Sequence, residues 1–398
     1  MNEAKCVCSA DLELTRGFSV TPLIFSDLRD FQWRAEVLVC ICGIVQKKLS
    51  HQYFSQLEEY YCNYAASRES KTVKSPLPVL EFGSKHESIS EWILREITND
   101  KTKSANFLDW GCGNLNLLTQ IKEINKHVKL KLFGYDKYTS PINVSEFSGI
   151  TLLTRVTDTK LQDLKFDYIS LIHTLEHVTN IEEELASILF VLEDDGKVFI
   201  QVPNLAKNLY DLYVADHVFH FTPESLSNVL SSQGFKILKM DTSISQKEIS
   251  VVAKRKSDVS MKDDKKDRVF NNDLEMNSRV LKKCWVSALK NLNDKKGLAI
   301  YGVGIAGSWI YRLSRDLGIE VSFFIDDNEN STNYTFNDIP IITIESLRED
   351  KNVQTVLIPF DTTLAIKKSK ELKQIGISSI FFNSYSHSVE VCHTESGI

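Results

Sequence analysis

The stretch "FLDWGCGNLNLL", from Phe107 to Leu118, decides what fold to expect. It combines a short apolar strand, two glycines two residues apart, and a helix that begins near Asn116. Glycine has no Cβ, so Gly111 and Gly113 allow the backbone to turn sharply and to approach a ligand closely. The free amides at the start of the helix favour a negatively charged group. The stretch therefore predicts a nucleotide-type binding loop between a strand and a helix.

Strand-like and helix-like segments alternate around this loop, over about residues 85–253. The next strand, "KLKLFGYD", ends at Asp136, 23 residues beyond Gly113. A carboxylate at that strand tip can accept both hydroxyls of a ribose. Asp158 follows the third strand, "HTLEHV" follows the fourth, and the fifth strand, "GKVFIQVPN", turns at Gly196. The alternation predicts a mostly parallel α/β sheet.

A second glycine loop, "YGVGIAGSWI", occurs nearly 200 residues later. Gly302, Gly304 and Gly307 form a complete G-x-G-x-x-G after a strand, and Asp326 lies 24 residues beyond Gly302. Read alone, this pattern is a dinucleotide fingerprint. It belongs to a second α/β segment, from residue 297 to about 382, that is short for a dehydrogenase with its own substrate domain.

Length and composition limit the classes of protein. A chain of 398 residues, 42% hydrophobic and 25% charged, is expected to form two or three domains with ordinary cores. A net charge of −6 argues against a general nucleic-acid binder. The N-terminus lacks the apolar core of a signal peptide, and no apolar run approaches the length of a membrane span. We therefore expect a cytoplasmic protein without nucleic-acid or membrane partners.

Four of the eight cysteines form two close pairs, Cys6 with Cys8 and Cys40 with Cys42. In a reducing compartment, such pairs favour a metal site over disulfides. The alternative is four ordinary buried thiols.

Composition shifts divide the chain into four parts. The mixed-charge stretch "KRKSDVSMKDDKKDR" reads as a solvated linker. We predict a small Cys-rich module over residues 1–70, an α/β domain over 80–253, a charged linker over 254–274 and a Rossmann-like domain over 275–390.

The motifs of the central segment, D-x-G-C-G, G-x-D, "LIHTLEHV" and "GKVFIQVPN", resemble in their order the class I S-adenosylmethionine-dependent methyltransferases. Leu115 stands where that family usually has a third glycine, and we expect it to crowd the loop. The resemblance assigns cofactor binding to Asp109, Gly111, Cys112 and Gly113 at the methionine part, Asp136 at the ribose, Asp158 near the adenine, and His173 and Thr174 in the wall of the pocket.

The outer segments resemble the three-domain C-methyltransferases of nucleotide-linked keto-deoxysugars. The resemblance implies a structural zinc in the N-terminal module, an active-site tyrosine in "YYCNYAAS", and a C-terminal domain that anchors the nucleotide-sugar. Both cysteine pairs are C-x-C where the family has C-x-x-C, Asp216 replaces a glutamate, and "TSISQKEISVV" replaces a His-Gly-Gly segment. The residues concerned are Cys6, Cys8, Cys40 and Cys42 for zinc, Tyr64 for the active site, and Gly302, Gly304, Gly307 and Asp326 for the substrate.

Methylation of a carbon next to a ketone requires that a base remove one proton while donor and acceptor are aligned. His217 is the best candidate, because it follows the fifth strand at the ligand-binding edge of the sheet. Asp216 is expected to orient its ring or to share the proton transfer, and His220 and Tyr64 are the alternatives for the base. A purely structural interpretation is that "DHVFHF" packs the start of a helix that is capped by Thr222 and continues with proline and glutamate.

Two further residues, Glu176 and His177, are expected at a helix start, where they cap the helix or contact the substrate. The sequence as a whole favours methyl transfer from S-adenosylmethionine to a carbon of a nucleotide-linked sugar. O- or N-methylation of a sugar or another small molecule is the first alternative. An NAD-dependent sugar oxidoreductase and a non-catalytic nucleotide-binding protein are the others.

Overall fold

The computed structural model of the chain is an α/β protein with two Rossmann-like sheets and a smaller N-terminal sheet. This confirms the predicted fold class. No helix in the described part of the chain is long and apolar enough to cross a membrane. The residues that the structure describes are 6, 16–40, 42–69, 83–98, 104–138, 149–153, 164–245, 247–257, 273–292, 297–328, 331, 334–348 and 353–393.

The N-terminal part consists of short antiparallel strands and one long helix. β4 pairs with β1 and β5, and its sequence "AEVLV" buries all residues but the glutamate. The elements are β1 (Arg16–Val20), β2 (Leu23–Ile24), β3 (Asp30–Phe31), β4 (Ala35–Val39), β5 (Val45–Lys47) and α1 (His51–Glu69).

The central part alternates strands and helices, as the sequence predicts. Its elements are α2 (Gly83–Thr98), β6 (Ala105–Trp110), α3 (Asn116–Ile124), β7 (Leu130–Tyr135), β8 (Ile150–Leu153), β9 (Phe166–Ile172), α4 (Ile181–Val191), β10 (Leu192–Pro203), β11 (Phe219–His220), α5 (Pro223–Ser232), β12 (Phe235–Asp241) and β13 (Glu248–Arg255).

Over the described residues, the central sheet has the strand order β12-β13-β10-β9-β6-β7-β8, and within it β13 alone runs against the others. β6 is buried along almost its whole length, as expected for a parallel strand that is covered on both faces. The chain leaves β6 towards β7 on one side and returns to β9 on the other. Such a reversal opens a crevice at the carboxyl ends of the strands, where α/β sheets bind ligands.

Two local predictions in this part have different outcomes. Thr222 caps α5 and Pro223 is its first residue, as the sequence predicts. Gly196 does not make a turn before the fifth strand, because β10 begins directly after α4 and Gly196 lies in its irregular first part.

Strand β11 links the N-terminal sheet to the central part. It pairs with β5, so that Phe219 lies opposite Gln46 and His220 opposite Val45. The segment with the candidate base is therefore held on one side by the N-terminal sheet.

The C-terminal part forms the second Rossmann-like sheet. In the described residues its order is β16-β17-β15-β14-β18-β19-β20, with the two edge strands antiparallel to their neighbours. The second glycine loop follows the central strand β14. The elements are α6 (Leu274–Lys290), β14 (Leu298–Tyr301), α7 (Ile305–Asp316), β15 (Phe323–Ile325), β16 (Thr335–Phe336), β17 (Ile339–Ile342), β18 (Thr355–Ile358), α8 (Thr362–Gln374), β19 (Ser378–Asn383) and β20 (Ser388–Cys392).

Candidate active site

The first glycine loop lies at the carboxyl end of β6. Gly111 and Gly113 have φ angles of 85° and 49°, a region that favours glycine. A Cβ on Gly111 would lie 2.3 Å from the Thr174 hydroxyl, so the loop touches the end of β9. The amide of Gly113 donates a hydrogen bond to Asp136 Oδ2 at 3.0 Å. The structure thus brings Gly113, Asp136 and Thr174 together at one edge of the sheet.

Two predicted cofactor residues support this loop from the interior. Asp109 is buried, and its Oδ1 accepts a hydrogen bond of 2.7 Å from the Ser170 hydroxyl. Burial raises the pKa of Asp109 to about 7, against the hydrogen bond from Ser170, which favours the charged form. Cys112 is also buried, with its Sγ beside Gly134.

The sequence suggested that Leu115 crowds the loop, but its side chain does not lie on the ligand side. Its side chain is fully buried in the core, next to Gly134 and Leu118. Its φ of 65° lies in the left-handed region, which costs a non-glycine residue about 1–2 kcal/mol. Burial of the leucine side chain offsets a cost of this size.

A group of histidines and carboxylates begins at the end of β9. His173 Nδ1 lies 3.0 Å from Glu176 Oε1. Glu176 is completely buried, and its Oε2 has no hydrogen-bond partner among the described residues. Burial alone raises the pKa of Glu176, but the hydrogen bond from His173 and the charges of His173 and His177 outweigh it, so this pKa lies below its ordinary value.

His177 forms a charged pair with Asp216. Its Nδ1 lies 3.0 Å from the Tyr61 hydroxyl, 3.0 Å from the Asp216 carbonyl and 3.4 Å from Asp216 Oδ2. Burial lowers the pKa of His177, but the hydrogen bond and charge of Asp216 and the charge of Glu176 raise it to about 9. Asp216 also accepts hydrogen bonds from the Ser26 amide at 2.7 Å and the Ser26 hydroxyl at 2.6 Å. The pair therefore carries both charges at neutral pH.

The carboxylate partner of His217 is Asp211, and not Asp216 as the sequence suggested. The Nδ1 atom of His217 lies 2.6 Å from Asp211 Oδ1. The centroid of the His217 ring is 4.7 Å from that of the His177 ring. The prediction fails because the Asp216 carboxylate is turned towards Ser26 and His177.

The position of His220 argues against its use as the alternative base. The ring is 1% exposed. Its Nδ1 lies 2.5 Å from Asp211 Oδ2, and its Nε2 lies 3.0 Å from Lys47 Nζ. Burial and the charge of Lys47 lower the pKa of His220 to about 4. With both nitrogens engaged inside the protein, neither is available to take a proton from a substrate.

Direct contacts connect the cofactor side of the site to the histidines. Asp136 Oδ1 accepts a hydrogen bond from the Tyr138 amide at 2.9 Å. The Tyr138 ring stacks on Tyr61, with centroids 4.7 Å apart, and the Tyr61 hydroxyl reaches His177. The path ends at His217, whose ring lies edge-on to that of His177. We call Tyr61, His177, Asp211, Asp216 and His217 the histidine cluster.

Sequence reasoning missed several members of this cluster. Tyr61 lies within "YYCNYAAS", three residues before Tyr64, but the tyrosine that the sequence singled out was Tyr64. Asp211 belongs to no motif. Glu176 and His177 do not cap α4, because Asn180 accepts the capping hydrogen bond at its start.

Three predicted residues lie outside the described structure: Cys8, Asp158 and the side chain of Tyr64. The other three N-terminal cysteines converge, with sulfur atoms within 4.8 Å of one another and 3.5 Å between Cys6 and Cys42. A hydrogen bond with Cys40 is the largest cause that raises the pKa of Cys42 to about 12. Converging sulfurs are the donor set that zinc prefers.

The second glycine loop lines a cleft of about 150 Å³ between the central and C-terminal parts. Gly302, Gly304 and Gly307 all contribute to its wall. Asp326 is not among the residues that line this cleft, and its Oδ1 accepts a hydrogen bond from the Asn328 amide at 2.9 Å. The central part contributes Asn208, Tyr210 and Lys247 to the lining.

Comparisons with known proteins give one matching family model and several similar solved structures. Residues 53–240 match the family model of a methyltransferase domain. No curated protein matches the chain. An S-adenosylmethionine-dependent methyltransferase structure from Clostridium acetobutylicum has 12% identity and a TM-score of 0.33, covering 43% of this chain and 92% of that one. The 1,6-didemethyltoxoflavin-N1-methyltransferase of Burkholderia thailandensis, solved with 1,6-didemethyltoxoflavin and S-adenosylhomocysteine, has 15% identity and a TM-score of 0.40, covering 56% and 96%.

The matched segment contains the first glycine loop, the carboxylate at the next strand tip and all of the histidine cluster. The family model carries the assignment of the enzyme class, and the geometry of the loop agrees with it. Residues 53–240 of the chain therefore form a methyltransferase domain, which supports an S-adenosylmethionine-dependent methyltransferase.

Proposed function

We propose that this enzyme transfers the methyl group to a carbon of a nucleotide-linked keto sugar, with His217 as the base. The observation that carries the proposal is the path of contacts from Asp136 through Tyr138 and Tyr61 to His177 and His217. It implies that a bound methyl donor and a proton-accepting group face the same crevice.

The residues of the first loop fit the donor. Two backbone amides, those of Gly113 and Tyr138, hold the Asp136 carboxylate at the strand tip. Its remaining lone pairs are oriented to accept ribose hydroxyls. S-adenosylmethionine supplies an electrophilic methyl group when it is bound. The protein's tasks are then to align the acceptor and to remove its proton.

The histidine cluster fits the proton transfer. Asp211 engages His217 Nδ1, which leaves Nε2 as the proton acceptor. Removal of a proton next to a ketone places negative charge on the ketone oxygen. The charged form of His177, whose pKa the Asp216 carboxylate raises, stands beside His217 and is suited to stabilise that oxygen.

We assign the diphosphate group of the acceptor to the cleft at the second glycine loop. Helix α7 begins at Ile305, so its first amides face the loop and favour an anion. Lys247 adds a cation from the central part of the chain. In this proposal Gly302, Gly304 and Gly307 allow the close approach of the phosphates.

We also propose a structural zinc held by Cys6, Cys40 and Cys42, with Cys8 as the fourth ligand. The purified protein should then carry about one zinc, with sulfur ligands at about 2.3 Å by X-ray absorption. Removal of the metal should lower the stability of the N-terminal sheet. A metal-free preparation with full thermal stability would contradict this assignment.

O- or N-methylation is the alternative, because a histidine base also serves a hydroxyl or an amine. The two chemistries differ in one measurable step. C-methylation passes through a carbanion, so the acceptor exchanges its carbon-bound proton with deuterated water. Mass spectrometry of acceptor and product after reaction in deuterated water distinguishes them.

A further inference from the structure

The candidate base is held by a carboxylate that lies outside every sequence motif. Asp211 lies in a short 3₁₀ helix over residues 209–213 and is 2% exposed. Its Oδ1 lies 2.6 Å from His217 Nδ1, and its Oδ2 lies 2.5 Å from His220 Nδ1. One carboxylate thus faces two imidazoles, one with each oxygen.

The charge of Asp211 decides which nitrogens carry protons. Burial raises the pKa of this carboxyl, but the charges and hydrogen bonds of His217 and His220 outweigh burial and hold the pKa well below its usual range. An ionised carboxylate only accepts hydrogen bonds. Both rings must therefore donate from Nδ1, and the neutral form of His217 keeps its lone pair on Nε2.

Lys47 completes the arrangement from the N-terminal sheet. This lysine is 2% exposed, and its Nζ lies 2.6 Å from the Val214 carbonyl, 2.6 Å from the His217 carbonyl and 3.0 Å from His220 Nε2. An ammonium has three protons to donate, and three acceptors surround it. Since the His220 Nδ1 proton is directed at Asp211, its Nε2 must accept, and Lys47 must donate all three protons.

Burial lowers the pKa of Lys47 to about 7, against the charges of Asp211 and Asp216, which favour the ammonium. Lys47 is the last residue of β5, which pairs with β11 at Phe219 and His220. The sheet pairing and the buried hydrogen bonds therefore both hold the Lys47 ammonium beside His220.

We propose that Asp211 is the positioning residue of the base, and that His220 and Lys47 hold Asp211 in place from the N-terminal sheet. This inference rests on the proposed role of His217. Asp211 sets the orientation of the His217 ring and the tautomer that leaves Nε2 free for the substrate. His220 is then a structural histidine, and the N-terminal sheet takes part in forming the active site.

The first test is Asp211→Asn, which keeps the shape but lets an amide N–H face His217 Nδ1. The ring then moves its proton to Nε2 and loses its acceptor. We expect turnover to fall by about 10²–10⁴-fold, with little change in acceptor KM or in S-adenosylhomocysteine affinity. The control is Asp194→Asn, at a carboxylate that is 99% exposed, and it should behave as the wild type.

The second test does not require a buried variant to fold. In wild-type protein with ¹⁵N-labelled histidine, at a pH where the ring is neutral, the His217 signals should show a protonated Nδ1 and a bare Nε2. A neutral His217 with its proton on Nε2 would overturn the inference, since Asp211 would then not set the tautomer that leaves Nε2 free.

Different results would overturn the positioning role of Asp211 and the role of His217 as the base. Loss of turnover in His217→Asn with normal turnover in folded Asp211→Asn would overturn the positioning role alone. Normal turnover in His217→Asn would overturn the base assignment, and with it a catalytic purpose for Asp211.

Discussion

The two glycine loops share a design but differ in what surrounds them. Both follow an interior strand of a mostly parallel sheet and precede a helix, and both have an acid at the tip of the next strand. In the first loop, Asp136 accepts from the loop amide of Gly113. In the second, Asp326 accepts from Asn328 within its own turn. The comparison shows that spacing predicts a loop, whereas the side-chain partners indicate which ligand it can hold.

The two loops also differ in the contacts of the residues that follow the acid. Asp327 accepts a hydrogen bond of 2.5 Å from the Tyr301 hydroxyl and one of 3.0 Å from Lys368. These contacts engage the Asp327 carboxylate within the protein. Beside the first loop, Tyr138 instead stacks on Tyr61, which contacts His177 in the histidine cluster. We therefore propose that the reaction takes place at the first loop and that the acceptor binds at the second.

The largest expected effect is at the base. His217→Asn should reduce turnover by about 10²–10⁴-fold, because asparagine cannot take up the proton that Nε2 accepts. Donor affinity should change little, since the donor contacts lie around Asp136. Steady-state rates and calorimetry with S-adenosylhomocysteine measure the two effects. Near-normal turnover would require a different base.

The second effect separates the two loops. Asp136→Ala should weaken S-adenosylhomocysteine binding by about 1.5–3 kcal/mol for each ribose hydrogen bond lost, since these bonds involve a charged acceptor. The matched variant Asp326→Ala should leave this affinity unchanged. Calorimetry with S-adenosylhomocysteine and with NAD on both variants tests the assignment. Equal losses in the two variants, or tight NAD binding that Asp326→Ala removes, would contradict it.

The third effect lies within the second loop. A Cβ at Gly307 would lie 2.0 Å from the Gly302 carbonyl oxygen, whereas a Cβ at Gly304 would have no atom within 4 Å. Gly307→Ala should therefore destabilise the protein by about 1–3 kcal/mol, and Gly304→Ala by less than about 0.5 kcal/mol. Chemical denaturation measures both. Equal stability of the two variants would mean that the loop is not packed as described.

The smallest effect concerns the acceptor. Lys247→Met should raise acceptor KM by about tenfold, because it removes one cation from the proposed diphosphate site. Lys236→Met, at an exposed position on β12, is the control. S-adenosylhomocysteine affinity should be unchanged in both variants. An unchanged KM in Lys247→Met would exclude this lysine from the acceptor site.

Local patterns in the sequence predicted the local structure well. The strand–loop–helix units and the Thr222 cap depend on neighbouring residues, and the structure has them where the pattern indicates. Contacts between distant segments were not predictable in this way. The 3₁₀ turn brings Asp211 into contact with His217. Lys47 contacts the His217 carbonyl because β11 joins the N-terminal sheet.

Leu115 is a single residue whose side-chain contacts the sequence pattern also failed to predict. A leucine in place of a glycine suggested a crowded loop, because the direction of its side chain could not be read from the sequence. The left-handed backbone turns that side chain into the core beside Gly134.

The most direct test of the central claim is proton exchange at the acceptor carbon. A nucleotide-linked keto sugar is incubated with the enzyme and S-adenosylhomocysteine in deuterated water, so that no methyl transfer competes. The account predicts that the wild type introduces one deuterium next to the ketone and that His217→Asn does not. No deuterium at that carbon with the wild type, together with methylation of the same acceptor at oxygen when S-adenosylmethionine is supplied instead, would contradict the assignment of His217 as the base of a C-methylation.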